Sequence, residues 1–433
     1  MTNKYISSDY ARFHVPGHKG QFAGEFEKIF PLDITELDFS DNLQCPIGVI
    51  KDSQELFAGL FGCKYALYST NGATAGIFSL VSTIKGNILI ERASHSSLYN
   101  AIKLFNLETV IFNNRISSNM YLPASYNDIA DAIEVNKEIS AVFLTSPNYY
   151  GKCAEVEKIY ILCKEKGIKL FLDAAHGAHF GLDAELPEHP VKHSDACVVS
   201  IHKTLPALTQ AAAVMTNDLI IAEQTKKALN VFNTSSPSYL ILGSIDFALH
   251  AVENNREQIR QTILKIKRVK ENSKLNYLEN NDCLRVVIDF SPQGLTGKIA
   301  NDLFIKERVV PEFFDDRHVV FVISPFESES NLLLLEKAIK KIESKIGKSK
   351  FIKLDLINKK TTKISFFNTC KDKELVLLKK SEGRVCGENV GVYPPALPVI
   401  VESEIITKNQ ISFLLQFDNL FGTSEGRISV YKD

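Results

Sequence analysis

The sequence has no excess of either charge. Its 433 residues include 50 Lys and Arg against 51 Asp and Glu, a formal net charge of -1. Composition therefore points to no nucleic-acid face, and no long run of one sign reads as an interaction tail. Residues 1–10 contain no apolar core of the kind a signal peptide needs. No unbroken apolar stretch is long enough to span a bilayer. The eight cysteines form no C-x-x-C, and several sit within apolar runs. They read as buried reduced thiols rather than as a zinc site or a disulfide framework, and a cytoplasmic setting is expected. Internal repeats and low-complexity segments are also missing.

What is present is ordinary globular material, 45% hydrophobic and 23% charged. The length favours two or three domains over one core. Residues 1–50 are rich in Gly, Pro, Asp and aromatics without clear periodicity, so an irregular arm is expected there. From residue 51 short apolar runs alternate with helical segments. The expected strands are 65–69, 87–90, 109–112, 141–145, 169–173, 196–200 and 212–215. Near-continuous apolar strands separated by helices predict a mainly parallel sheet of seven strands with helices on both faces. A long helical segment is expected over 238–278. Strand-like runs at 284–290 and 319–324 and helices at 297–307 and 331–344 complete a smaller α+β domain. The domain reading is thus an arm over 1–50, a large α/β domain over 51–250 and a small C-terminal domain over 251–433.

Four features fall where expected strands end, which is where ligands sit in such sheets. Lys203, in Ser200-Ile201-His202-Lys203-Thr204, follows the run Ala196-Cys197-Val198-Val199. A lysine amine forms imines with aldehydes when deprotonated. Asp173 precedes Lys203 by 30 residues, about one helix-and-strand unit, and opens Asp173-Ala174-Ala175-His176. A carboxylate so placed suits the pyridine nitrogen of pyridoxal 5'-phosphate (PLP), keeping that ring an electron sink. Ala175 is small enough to lie against the ring, and His176 suits its phenolic oxygen. Residues 72–76, with Ala73 and Thr74, link a strand to a helix and suit a phosphate. His95, after the run 88–90, suits stacking on a flat ring. Taken singly, each has an ordinary reading: a solvated lysine, a turn carboxylate, a plain loop, a satisfied histidine. The four together read as one PLP site.

These residues belong to longer motifs. Phe13-His14-Val15-Pro16-Gly17-His18-Lys19-Gly20, the segment 173–180, the segment 200–210, Thr234-Ser235-Ser236-Pro237-Ser238-Tyr239 and Tyr393-Pro394-Pro395-Ala396-Leu397-Pro398 together resemble the prokaryotic ornithine/lysine/arginine decarboxylases, within the fold type I PLP enzymes. The resemblance implies decarboxylation of arginine, lysine or ornithine to an amine and CO2, with a role in polyamine biosynthesis. It implies that Lys203 carries the Schiff base, that Asp173 faces the ring nitrogen, and that His95 stacks on the ring. Ala73, Thr74, Ser200 and His202 would hold the phosphate. It also implies a homodimer with the site at the subunit interface, Ser235 reaching the neighbouring cofactor. Glu388, with Arg384, is the candidate for a distal substrate cation, and His14 for the pocket wall. Ala174, Ala396, the segment 38–48 and residues 401–404 depart from the family pattern, although Glu404 is kept. Competing expectations are a PLP aminotransferase or lyase and a PLP-binding protein without turnover. A metal hydrolase on 173–179 is weaker, for want of an H-E-x-x-H helix; no metal ligand is assigned.

Overall fold

The computed structural model describes residues 12–21, 24–118, 120–344, 361–364, 372–393, 397–417 and 419–432, without the side chains of 361–364. Helix α1 (Val49–Phe61) leads into β1 (Tyr65–Ser69), α2 (Gly72–Val81), β2 (Asn87–Glu91) and α3 (Ser96–Phe105). There follow β3 (Thr109–Phe112), a hairpin of β4 (Ile116–Ser117) and β5 (Met120–Tyr121), α4 (Tyr126–Val135), β6 (Ile139–Thr145), α5 (Val156–Glu165) and β7 (Lys169–Asp173). Next come β8 (Ala196–Ser200), the single turn α6 (Ile201–Thr204), β9 (Ala212–Thr216), α7 (Leu219–Phe232), α8 (Tyr239–Asn254) and α9 (Arg256–Glu271). All seven expected strands are present within a residue or two. Among the described residues, no helix is long and apolar enough to cross a membrane.

The chain divides into two compact units: Met1–Thr83, Leu172–Thr262 and Ser324–Phe326 in one, and Ile84–Phe171, Ile263–Ile323 and Glu327–Asp433 in the other. The division passes through β7. In the first unit the strand order is β1-β9-β8-β7. Strand β9 runs antiparallel to both neighbours, and its first residue, Ala212, is in register with Ser69 and with Ser200. The carboxyl ends of β1 and β8 are therefore level. The Ala174 N–H donates to Val198 O at 2.8 Å, which brings the end of β7 to the same edge. Helix α2 lies close to this sheet at Gly76, where a Cβ would come within 2.9 Å of Val198 Cγ1. A larger residue there would push the helix, and its N-terminus, outward.

The arm is ordered around one carboxylate. Asp41 Oδ1 accepts from Asn42 N and Ile47 N, and its Oδ2 from Gly48 N and Ile50 N, at 2.8 to 3.0 Å. Burial pushes the Asp41 carboxyl up, but these backbone donors outweigh it and hold the group below its ordinary value. The altered segment 38–48 is thus a turn organised by Asp41.

In the second unit the order is β7-β6-β2-β3, closed by an antiparallel edge strand, Thr361–Ile364. Strands β2, β3 and β6 are parallel, and Ile88, Leu89, Ile90, Val142, Phe143 and Leu144 are buried as fully covered strands require. This unit also holds an antiparallel sheet of Asn276–Tyr277, Arg285–Asp289, His318–Val322 and Phe313–Phe314. A second apolar cluster, with Val390, Ile400, Leu414 and Val430, gathers the C-terminal strands. The helical segment expected over 238–278 is two helices, α8 and α9. The break is at Asn255, whose φ is -128°. The amides of Asn254 and Asn255 donate back to His250 O and Ala251 O, the local competition that makes Asn a poor helix interior.

Candidate active site

At the level edge of the first unit the chain turns out of β8 directly into α6. Two backbone donors, Ile201 N and His202 N, meet the Ala211 carbonyl at 2.9 and 3.4 Å, so the turn is clamped to the start of β9. This places Lys203 above the strand ends. Its Nζ stands 3.1 Å from His176 Nε2, across 27 residues of sequence. His176 is held by the turn that follows β7, in which Ala175 N donates to Asp173 Oδ1 at 3.0 Å and Gly177 N donates to Ala174 O at 2.8 Å. Asp173, Ala175, His176 and Ser200 are all buried. His202 Nδ1 lies 3.1 Å from Ala211 O and 3.3 Å from Ser200 Oγ. Burial pushes the His202 imidazole below its ordinary value; the Ala211 carbonyl opposes this and the Lys203 charge adds to it. The imidazole Nδ1–H donates to the Ala211 carbonyl, which fixes the ring beside Ser200.

The loop at 70–76 belongs to the same edge. Gly72 N donates to Gln210 O at 2.9 Å, one residue from the carbonyl that clamps His202, and Gly72 takes a φ of +74° that suits glycine. Ser69 Oγ donates to Gly72 O and to Asn233 Oδ1, both at 3.0 Å. Helix α2 begins here with no side-chain cap, whereas α3, α4, α7 and α8 are capped by His95, Ser125, Asp218 and Ser238. An uncapped N-terminus in a clamped loop offers backbone donors to an anion.

The residues present suit PLP on these observations. The buried hydroxyls of Thr70 and Thr204 have no hydrogen-bond partner within the described protein, and orphaned buried hydroxyls are costly unless a ligand or water meets them. One follows β1 beside the uncapped helix; the other follows Lys203. The donors available, a helix N-terminus with Thr74 and Ser200, match a phosphate monoester. The acceptor Asp173 matches a protonated ring nitrogen. Thr70 and Thr204 were not singled out from the sequence, although Thr204 lies inside the Lys203 motif.

In the second unit, His95 caps α3, its Nδ1 accepting from Ser97 N at 3.2 Å and meeting Ser97 Oγ at 2.8 Å. Arg384 Nη2 donates to Glu374 Oε1 at 2.7 Å and to Tyr431 O at 2.9 Å, while Glu388 is exposed. In the first unit, Ser235 is exposed, and His14 Nδ1 lies 2.5 Å from Val15 O while the His14 carbonyl accepts from Lys19 Nζ at 2.6 Å. His18 of the same motif stacks on Phe30 at 4.3 Å and meets Asp33 at 3.2 Å, so part of the signature is arm architecture. Ala396 lies outside the described residues. The sequence reading also passed over Arg92, whose buried guanidinium pairs with Glu404.

Comparison with known proteins identifies a family. A family model described as Orn/Lys/Arg decarboxylase, major domain, matches residues 1–289. The uncharacterized protein YaaO of Bacillus subtilis is 28% identical, over 96% of this chain and 93% of its own length. An arginine decarboxylase of the same organism is 25% identical, over 96% and 92%. Among solved structures, lysine decarboxylase A from Pseudomonas aeruginosa superposes with a TM-score of 0.79 at 15% identity, covering 99% of this chain and 79% of its own. The E. coli constitutive lysine decarboxylase gives 0.76 at 14%, covering 99% and 81%. The fold is that of the fold type I PLP enzymes.

Proposed function

Since the chain belongs to the Orn/Lys/Arg decarboxylase family, we propose that it removes the α-carboxylate of a basic amino acid using PLP bound through Lys203. The observation that carries this reading is the approach of Lys203 Nζ to His176 Nε2, 3.1 Å apart at the edge that also presents Asp173 and the uncapped end of α2. Bound there, PLP supplies an electron sink for the pair left behind when CO2 departs. The protein's residues do the rest. Lys203 would hold the cofactor through its aldehyde carbon. Asp173 keeps a proton at the ring nitrogen by its charge. His176 holds a proton beside the Lys203 amine and the phenolic oxygen. Thr74, Ser200 and the α2 N-terminus anchor the phosphate, with Ala73 and Ala175 leaving room for the group. His95 would cover the ring, and Ser235 would reach the neighbouring site in a homodimer. His14, Arg384 and Glu388 are proposed on the substrate side.

Arginine is the first substrate to test, because similar proteins from several Bacillus species bear the name arginine decarboxylase. The purified protein is expected to be yellow, and borohydride to leave a pyridoxyl group on the peptide containing Lys203. CO2 release should be followed with arginine, lysine and ornithine, without any keto acid. A requirement for a keto-acid acceptor would convert the reading to an aminotransferase. Bound PLP that reacts with none of the three would convert it to a protein without turnover.

A further inference from the structure

A buried ion pair of the second unit stands three residues from His95. Arg92 is 1% exposed. Its Nη1 and Nη2 donate to Glu404 Oε2 and Oε1 at 2.9 and 2.8 Å, a bidentate fork. Nη1 also reaches Val399 O at 3.1 Å, and Nε reaches Asn113 Oδ1 at 2.6 Å. Glu404 in turn accepts from Val401 N at 3.0 Å. One guanidinium thereby joins the ends of β2 and β3 to the strand Leu397–Ile400 and to the Glu404 turn. The loop beyond Arg92 has little freedom left. Tyr99 Oη donates to Arg92 O at 2.8 Å, Ala93 N donates to Asn114 Oδ1 at 3.0 Å, and Ser94 Oγ donates to Glu91 O at 2.7 Å. His95 follows, its ring fixed by Ser97.

A buried pair costs desolvation and is a poor source of stability compared with packed apolar groups. Its geometric effect here is specific: it sets where β2 stops and where the 92–95 loop begins. We propose that Arg92 and Glu404 are positioning residues for His95, by which the C-terminal segment determines how the imidazole meets PLP. This rests on the site reading above, in which His95 covers the ring.

The test is a double-mutant cycle on cofactor affinity. Apoprotein is prepared from wild type, H95A, E404Q and H95A/E404Q, PLP is titrated in, and the apoprotein melting temperature is recorded for each. E404Q keeps the shape of Glu404 and removes its charge. The expected result is that H95A and E404Q each weaken PLP binding about tenfold. The double variant should be no weaker than H95A alone, because both act through one contact. R92K, which keeps the charge but loses the fork, is carried through the same cycle and replaces E404Q if that variant does not fold. Effects of E404Q and H95A that multiply in full would overturn the proposal and leave the site reading standing. H95A binding PLP as wild type does would take down both.

Discussion

Two segments that the sequence marks as functional set their side chains in opposite surroundings. Between Asp173 and Lys203 the backbone makes the fold. Ala174 N bonds to Val198 O, and Ile201 N bonds to Ala211 O. The side chains of Asp173, His176 and Lys203 are thereby gathered at one edge, largely buried. Between residues 383 and 393 the backbone is bonded as closely, Cys386 N donating to Glu404 O and Gly387 N to Ser429 O at 2.8 Å, but the side chains are not gathered. Arg384 is engaged by Glu374 and Tyr431 O, and Cys386 Sγ reaches the Glu388 carbonyl at 3.0 Å. Glu388 and Tyr393 are left exposed. With both backbones fixed, the difference is that one segment converges its polar side chains in a buried edge and the other leaves them to water.

The largest effect is expected where this contrast is sharpest. Lys203→Ala should reduce CO2 release by more than the ~10²- to 10⁴-fold that a general acid or base contributes, with the yellow colour lost and borohydride leaving no label. A residual colour fixed to another lysine would put the covalent site elsewhere. Asp173→Asn comes next. Asn keeps an acceptor for Ala175 N while removing the charge, so the turn should survive and kcat should fall about 10²-fold or more. Equal kcat with unchanged melting temperature would show that the buried edge does not depend on that carboxylate.

The buried segment should also be the acid-labile one. His189, within it, is 1% exposed, and its Nδ1 accepts from Val191 N at 3.4 Å. Burial first, then the charges of His179 and Lys192, push its pKa down to about 3. Above the unfolded value near 6.5 both states are neutral and stability is flat. As pH falls below that value the unfolded chain takes up the proton first. Stability is then lost at about 1.4 kcal/mol per pH unit until the folded value is reached, roughly 2 kcal/mol by pH 5. His189→Asn keeps a cap acceptor and removes the titration, so its melting temperature should decline less between pH 6.5 and 5. An unchanged decline would assign the acid lability to other groups.

The buried segment was legible for a physical reason. Its strands are continuous apolar runs, and its polar residues follow strand ends at short range, so spacing alone predicted that Asp173, His176 and Lys203 share an edge. The parallel core of β2, β3 and β6 was legible likewise. The antiparallel edge strand Thr361–Ile364 was not, because its pairing with β3 has no local signal. The Arg92–Glu404 pair joins residues 312 apart, and neither residue differs in its neighbourhood from a surface charge. The break at Asn255 was hidden by apolar periodicity continuing across it; only the paired Asn254 and Asn255 marked it. Asp41 read as one acid among several in an irregular arm, since its role lies in backbone donors up to nine residues ahead.

The smallest effect belongs to the exposed segment and tests the contrast from its weaker end. An exposed carboxylate attracts a distant ammonium or guanidinium through water, so Glu388→Gln should raise KM for the basic substrate by no more than about fivefold, the scale of an exposed ion pair. It should leave kcat unchanged, the mark of binding shared equally by substrate and transition state. The effect should shrink as salt is added, since exposed charges are screened. A rise of about a hundredfold, insensitive to salt, would mean that Glu388 meets the substrate in a desolvated setting. The exposed segment would then be as much a part of the chemistry as the buried one, and the contrast between the two would fail.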